Sequence, residues 1–237
     1  DNIKISSNFD NWFNLYIDNL KSSFEENLNN LPICLTYTNK QTDYINNKVR
    51  KIIFKENNQR FIKNDIIIFN NYYYLKKNKI SYYTSQKSKI IEAEETYLQL
   101  SESNLKIPYD KDVKKDDYEI EKNNLIIRKY DRIFESIKEL KIKVWKLKIL
   151  SGDIIYIIHE DIVDEYNEII ESLKKKIKNF RIFLNKISRC KCYEKIMENV
   201  WTSLYQNYID IFADISYGYC ITTHKSQGST FKDIYVD

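Results

Sequence analysis

Apolar residues recur at spacings of three and four along residues 9–28, "FDNWFNLYIDNLKSSFEENL". Phe9, Trp12, Phe13, Tyr16, Leu20 and Phe24 line one side of a predicted amphipathic helix. The period then breaks. "LPICLTYTN" (31–39) is a short apolar run with Pro32 at its start, which predicts a buried strand leading into a loop at Thr38-Asn39. Over 40–54 the helical period returns through Tyr44, Ile45, Val49, Ile52 and Ile53. Strand, polar loop and helix in that order make one turn of an α/β sheet.

After about residue 60 the pattern shortens. The stretches 64–75, 78–100, 123–130, 141–150 and 153–160 are β-rich runs separated by Asn, Lys, Asp or Gly. They predict a small antiparallel β unit, with an acidic–basic loop around 109–122. From 160 onward the helical period is back. Ile162, Val163, Tyr166, Ile169, Ile170, Leu173, Ile177, Phe180, Phe183, Leu184 and Ile187 form one long stripe. Tyr193, Ile196, Met197, Val200, Trp201, Leu204, Tyr205 and Tyr208 form a second, over 191–213. Two such stripes in succession predict an αα hairpin. "YGYCITT" (217–223) then reads as a strand, "HKSQGST" (224–230) as a loop opening a short helix, and "DIYVD" (233–237) as a further strand.

The α/β pieces therefore sit at the two ends of the chain. Asn39 and His224, each following a strand, are 185 positions apart. A single continuous sheet does not require that gap, so an α/β domain interrupted by a β unit and a helical hairpin is the expected architecture.

Composition changes the weight of particular residues. Lys, Asn and Ile dominate, as AT-rich coding DNA would produce, so isolated Lys or Asn runs carry little meaning. The net charge of +4 permits a polyanionic partner without demanding one. Cys34, Cys190, Cys192 and Cys220 lack zinc-ligand spacing and are expected to be thiols in a reducing, intracellular setting. No basic start followed by an apolar run marks a secretory signal, and no stretch approaches the roughly 18 apolar residues of a membrane span. The first residue is Asp1, and Asp237 falls inside an apparent strand, so the expectation is a piece of a longer chain.

The densest chemistry lies in "ITTHKSQGST" (221–230). The sequence has only 3 Gly and 2 His, yet this loop takes one of each. Thr223, Ser226, Ser229 and Thr230 offer hydroxyls, Lys225 a charge and Gln227 an amide. Gly228 lets backbone N–H groups approach an anion. A loop at the carboxyl end of a parallel strand is where open α/β sheets bind ligands. It is not a lysine-bearing phosphate loop, since no G-x-x-x-x-G-K-[ST] occurs in the chain.

Plainer readings stand beside these. His224 alone would be a helix-start residue, and Thr38-Asn39 a turn with an N-cap. His159 reads as structural or exposed, and Trp145 and Trp201 read as packing anchors. Tyr72, Tyr73, Tyr74, Tyr82 and Tyr83 can stack bases or fill core and surface. Lys174–Lys178 reads as a solvated helix face that in a translocase can also line a duplex.

"YCITTHKSQGSTFKDIYVD" (219–237) closely resembles motif V of superfamily 1 helicases of the RecD/Dda-like branch, and "CLTYTNKQTDYINNKVRKIIF" (34–54) resembles their motif IV. "DIIIFNNYYYL" through "KIIEAEETYL" looks like the SH3-like β domain inserted in Dda-type phage helicases. "ENVWTSLYQNYIDIFADISYGYCITTHKSQG" has the aromatic helix that precedes motif V there. The resemblance covers most of the chain. It implies an α/β fold: a RecA-like (P-loop NTPase-type) second lobe over 1–58 and 214–237. An SH3-like β insert would occupy 59–158 and a helical hairpin 159–213.

By the same resemblance, Thr38, Asn39, Thr223, His224, Lys225 and Ser226 would contact the DNA strand. Gln227 and Gly228 would lie near the nucleotide cleft. The implied activity is ATP-driven, 5′-to-3′ translocation on single-stranded DNA with duplex unwinding, in replication or repair and of viral source. The implied cofactors are ATP and Mg2+, held mainly by a first RecA-like lobe. The implied partners are single-stranded DNA, a duplex fork, that first lobe and a single-strand-binding protein, at a site of DNA replication. The phosphate-loop lysine, the metal-binding acid and the arginine-bearing motif VI are absent from these residues, so the chain alone is expected not to hydrolyse ATP. The other expectation is a non-catalytic nucleic-acid-binding module built on a degenerate lobe.

Overall fold

The computed structural model of the protein describes residues 8–24, 28–55, 59–75, 79–100, 117–137, 140–187, 192–227 and 230–236. In chain order its elements are α1 (Phe9–Ser23), β1 (Ile33–Thr36), α2 (Asn39–Ile53), β2 (Ile66–Phe69), β3 (Tyr73–Leu75), β4 (Ile80–Tyr82), β5 (Lys87–Gln99), α3 (Asp117–Phe134), β6 (Lys141–Ile149), β7 (Ile154–Ile158), α4 (Val163–Ile187), α5 (Cys192–Leu204), a π-helical turn (Tyr205–Ile209), β8 (Ile215–Tyr217), β9 (Cys220–Thr222), α6 (Thr223–Ser226) and β10 (Ile234–Val236). The mixed α/β class expected from the alternating periods is what the chain adopts.

Two compact units divide it. Unit 1 comprises 1–93, 147–155 and 213–237, and unit 2 comprises 94–146 and 156–212. Unit 1 holds a parallel sheet in the order β10-β1-β9, with Cys34 in register with Cys220 and Thr36 with Thr222. All four residues of β1 are buried. Cys34 joins a core made by Phe13, Tyr16, Ile17 and Leu20 of α1 and by Ile45 and Val49 of α2. Ile33 and Leu35 join Ile68 and Ile221 in a second cluster. A strand apolar on both faces is the signature of a covered parallel sheet, and it explains the unbroken run "ICL". In the same unit, parts of β7, β6, β5, β2 and β8 form a second sheet in that order. β2 runs antiparallel to both β5 and β8, in keeping with the antiparallel pairing read from the sequence. β3 and β4 make a separate antiparallel hairpin.

Residues 217–223, read as one strand, are two. β8 pairs with β2, the chain turns at Gly218, and β9 pairs with β1. Gly218 donates its N–H to Ile66 O at 2.9 Å. A Cβ there would meet Ile66 Cγ2 at 3.0 Å and the Ile67 carbonyl at 3.3 Å. The glycine permits a close approach of two backbones, which alternation of residue types does not reveal.

Unit 2 is built on α3, α4 and α5. Its core joins Ile126, Tyr130, Ile133 and Phe134 of α3 to Leu173, Ile177, Phe180 and Leu184 of α4 and to Ile196 and Val200 of α5. The β run predicted at 123–130 is helical, and the loop predicted at 109–122 is helical from Asp117 onward; 109–116 lie outside the described residues. Ile126, Tyr130, Ile133 and Phe134 fall at i, i+4, i+7 and i+8, and this period becomes visible only when the window extends past Tyr130. The lysines alternating along β6 face glutamates of β5: within unit 2, Lys143 lies 3.1 Å from Glu95 and Lys146 2.6 Å from Glu94. Of the two readings open for His159, structural or exposed, the structure excludes the second. His159 is buried, its Nδ1 accepts the Asp161 N–H at 3.2 Å, and its ring stacks on Trp145 at 5.5 Å.

Candidate nucleic-acid interface

Parallel pairing of β1 with β9 brings the two sequence-singled loops together. Thr36 ends β1 in register with Thr222, which ends β9. The chain therefore leaves both strands at the same edge, through Tyr37-Thr38-Asn39 on one side and Thr223-His224-Lys225 on the other. α6 lies against the ends of both strands. Each loop opens a helix through a threonine cap. Thr38 Oγ1 accepts the Gln41 N–H at 3.2 Å, and Thr222 Oγ1 accepts the Lys225 N–H at 3.4 Å. α2 runs for 15 residues, so its first turn presents N–H donors and the positive end of a helix dipole to this edge.

The frame beneath is held by buried polar groups. Thr36 Oγ1 sits 2.6 Å from Thr42 Oγ1 and ties the strand end to the first turn of α2. Asn46 is 2% exposed, and its amide grips β9. Its Nδ2 donates to Cys220 O at 3.0 Å, and its Oδ1 accepts the Cys220 N–H at 2.9 Å. One side chain satisfies both backbone groups of an edge residue, as a further strand would. Four positions on, Arg50 Nε donates to Asp65 Oδ2 at 2.8 Å, and its Nη2 donates to the carbonyls of Gln59 and Arg60. The guanidinium lies 4.0 Å from the Tyr217 ring centre. Tyr219 Oη donates to Asp65 Oδ1 at 2.8 Å, and Tyr16 Oη donates to Tyr219 O at 2.6 Å. Burial lifts the Asp65 carboxyl to about 6 against the pull of Arg50, and burial likewise pushes the Tyr219 phenol well up.

The predicted contact residues divide by placement. Thr38, Asn39, Thr223, His224 and Gln227 are exposed at this edge. Ser226 Oγ donates to Thr223 O at 2.7 Å, closing the single turn of α6. Lys225 is half-buried, and its Nζ lies 2.9 Å from Asn70 Oδ1, within a network that also joins Ser216 and Asp214. Its carbonyl accepts from Ser85 Oγ at 3.0 Å. Lys225 thus ties the loop to β2 and β8. Gly228 lies outside the described residues, as does Cys190; Cys34 and Cys220 are buried in adjacent register.

Two residues at this edge escaped the sequence reading. Tyr37, between the strand end and the Thr38 cap, is 88% exposed. Lys40 is exposed in the first turn of α2. Together the edge offers hydroxyls, an imidazole, an ammonium and first-turn N–H groups, which suit phosphate oxygens, beside an open aromatic face, which suits a base. Among the described residues, no group of three His, Cys, Asp or Glu stands together as a metal site would need, and no helix is long and apolar enough to cross a membrane.

No protein-family model matches the chain. It is similar to uncharacterized protein R530 of Acanthamoeba polyphaga mimivirus, with 31% identity over 254 aligned positions. The alignment takes in 99% of this chain and 46% of the viral protein, so the chain spans about half the length of the curated relative that it matches.

Proposed function

We propose that the chain is part of the second RecA-like lobe of an ATP-dependent DNA helicase of superfamily 1, in the RecD/Dda-like branch. In this reading the edge formed by β1 and β9 holds the single strand while nucleotide binds elsewhere in the larger protein. One observation carries it. The motif IV-like and motif V-like loops lie far apart in sequence, yet Thr36 and Thr222 pair in register and deliver Thr38, Asn39, Thr223 and His224 to one edge. A coincidental likeness of either stretch would not require them to be neighbours. Tyr37 supplies the stacking surface, worth about 1–3 kcal/mol per base where a base rests on it. Lys225 anchors the loop rather than touching the strand. The motor reading supplies a strand contact, a coupling loop that runs on through Gln227, and a partner lobe for ATP and Mg2+.

Anisotropy of a labelled oligothymidylate over a salt series tests it. Thr223→Ala combined with His224→Ala, and separately Tyr37→Ala, should each weaken binding by about tenfold, the size of one or two such contacts. Unchanged affinity in both variants, with the fold intact by circular dichroism, removes this edge as the strand site.

A further inference from the structure

Within unit 1, the hairpin of β3 and β4 sorts its tyrosines by face. Tyr73 pairs with Tyr82 across the hairpin, and both are buried. Their rings stack on Phe69, at 6.1 and 4.5 Å, and Tyr82 Oη donates to the buried Asp153 carboxylate. Side chains alternate along a strand, so Tyr72, Tyr74, Ser81 and Tyr83 stand on the opposite, outer face. Tyr72 is 59% exposed and Tyr83 66%. Their rings meet edge to face with centres 6.0 Å apart. Tyr72 Oη lies 2.7 Å from Ser81 Oγ, which holds that ring in place.

The hairpin is held down from its inner face, by Tyr73 and Tyr82, and does not need the outer rings for that. The outer positions carry three aromatic rings and one hydroxyl, with no carboxylate, ammonium or aliphatic side chain among the four. Surface tyrosines standing singly need no explanation. A contacting pair on a hairpin fixed from beneath is different. Two rings already held in place meet a flat ligand at little further cost in side-chain ordering.

The pair's place in the fold narrows the choice of ligand. Asn70 and Ser85 bracket the hairpin, and both bond to one residue of α6. Asn70 Oδ1 accepts from Lys225 Nζ at 2.9 Å, and Ser85 Oγ donates to Lys225 O at 3.0 Å. Tyr72 and Tyr83 each stand two residues from one of these anchors, at most about 7 Å of chain. α6 begins with Thr223 and His224 and packs on the ends of β1 and β9. One short helix thus joins the aromatic pair to the strand edge. A base of any identity offers a face to stack on such rings. A phosphate would instead meet the Asp214 carboxylate, which the Asn70 and Asn71 amides hold at 2.7 Å beside the pair. We infer that Tyr72 and Tyr83 form a second platform, stacking bases of the same strand whose backbone crosses the β1–β9 edge. This rests on the single-strand reading of that edge.

The experiment uses the full chain and a fluorescein-labelled oligothymidylate of about 12 nucleotides, a length within the range of single-strand sites. Anisotropy is followed from roughly 50 to 200 mM salt. Tyr72→Ala with Tyr83→Ala should lower affinity about tenfold, the size of one lost stacked base. The slope of log K against log salt should stay as in the parent, because no phosphate contact is lost. An abasic strand of the same length keeps the phosphates and lacks the bases, so it should bind parent and variant equally. Tyr72→Phe with Tyr83→Phe keeps both rings and should retain the parent's affinity for the oligothymidylate. Tyr97→Ala, at a tyrosine also 66% exposed but in unit 2, should change nothing. Circular dichroism checks folding. If the double alanine variant unfolds, Tyr83→Ala alone should still lower affinity about fivefold with the salt slope unchanged.

Unchanged affinity in the double alanine variant overturns the platform. So does an equal loss in the phenylalanine variant, in Tyr97→Ala or on the abasic strand, and so does no binding by the full chain. Displacement by polyproline as effective as by unlabelled oligonucleotide overturns it in favour of a proline-rich peptide, which aromatic-lined grooves also take. The two readings fail separately. Loss in Thr223→Ala/His224→Ala with none in the tyrosine variant sinks the platform and leaves the edge standing. The converse sinks the edge, and with it the shared path inferred here.

Discussion

Lys87 begins β5 with its ammonium 5.4 Å from the Phe231 ring, and burial lowers its pKa to about 8 from 10.5. A depressed folded pKa means that the native state disfavours the proton. The stabilising difference is therefore fully present above pH 10.5 and is lost as pH falls through about 8. At neutral pH the charged lysine opposes folding, and the ring contact offsets part of that. Lys87→Met should raise the Tm at pH 7. Thermal scans of the native chain should show stability gained between pH 8 and 10.5 that the variant does not show; parallel pH curves for the two would refute this account. The same scale shows what the sequence could disclose of the site. Thr38, Thr223 and His224 were legible because hydroxyl and imidazole groups clustered after strands. Tyr37 was not, because it continues the run Ile33, Leu35, Tyr37, and only the structure shows that burial stops at Thr36. Asn46 was not, because it stands beside Asn47 in an Asn-rich chain. One of the pair is buried and the other exposed, and nothing in their identity says which.

At the scale of elements, that Asn46 amide is what joins α2 to β9. Removing it leaves the Cys220 N–H and C=O buried without partners, at a cost of about 1–3 kcal/mol. Asn46→Ala should lower the free energy of unfolding in urea by that amount. Asn46→Asp keeps an acceptor for the Cys220 N–H but loses the donor to Cys220 O, and it puts a charge in the core, so it should not rescue. An Asn46→Ala variant as stable as the parent would mean that water replaces the amide. The elements themselves were readable where one period held for a full window, as in α1, α2 and α4. They were misread where a window was short. Residues 123–130 look like an apolar strand until Ile133 and Phe134 complete the helical face, and 217–223 look like one strand because Gly218 hides a change of sheet. Pairing between distant strands left no mark in the local pattern. Nothing in "ICLT" names Cys220 as the neighbour of Cys34, so the joining of the two loops had to come from the fold.

At the scale of the whole molecule, glycine usage bears on the nucleotide. A phosphate cradle of the lysine-bearing kind needs two glycines in one loop, and the chain has 3 in all, none in that pattern. Gly152, with φ of 86°, makes the turn between β6 and β7, and Gly218 sits where β8 passes β2. Both are accounted for by backbone geometry, which leaves Gly228 alone in the loop after β9. Under the helicase reading proposed above, a strand is the chain's own ligand and the nucleotide is held by another lobe, which the net charge of +4 permits. The full chain should therefore release no phosphate from ATP above the rate in buffer. Its affinity for the oligothymidylate should also be the same with and without ATP and Mg2+. A protein that adds a nucleotide-binding lobe should hydrolyse ATP faster when the strand is present, and Thr223→Ala/His224→Ala should remove that stimulation more than the basal rate. Phosphate release and anisotropy read the two halves separately. An ATP-dependent change in affinity in the chain alone would place a nucleotide site within it and end the division of labour proposed between the lobes.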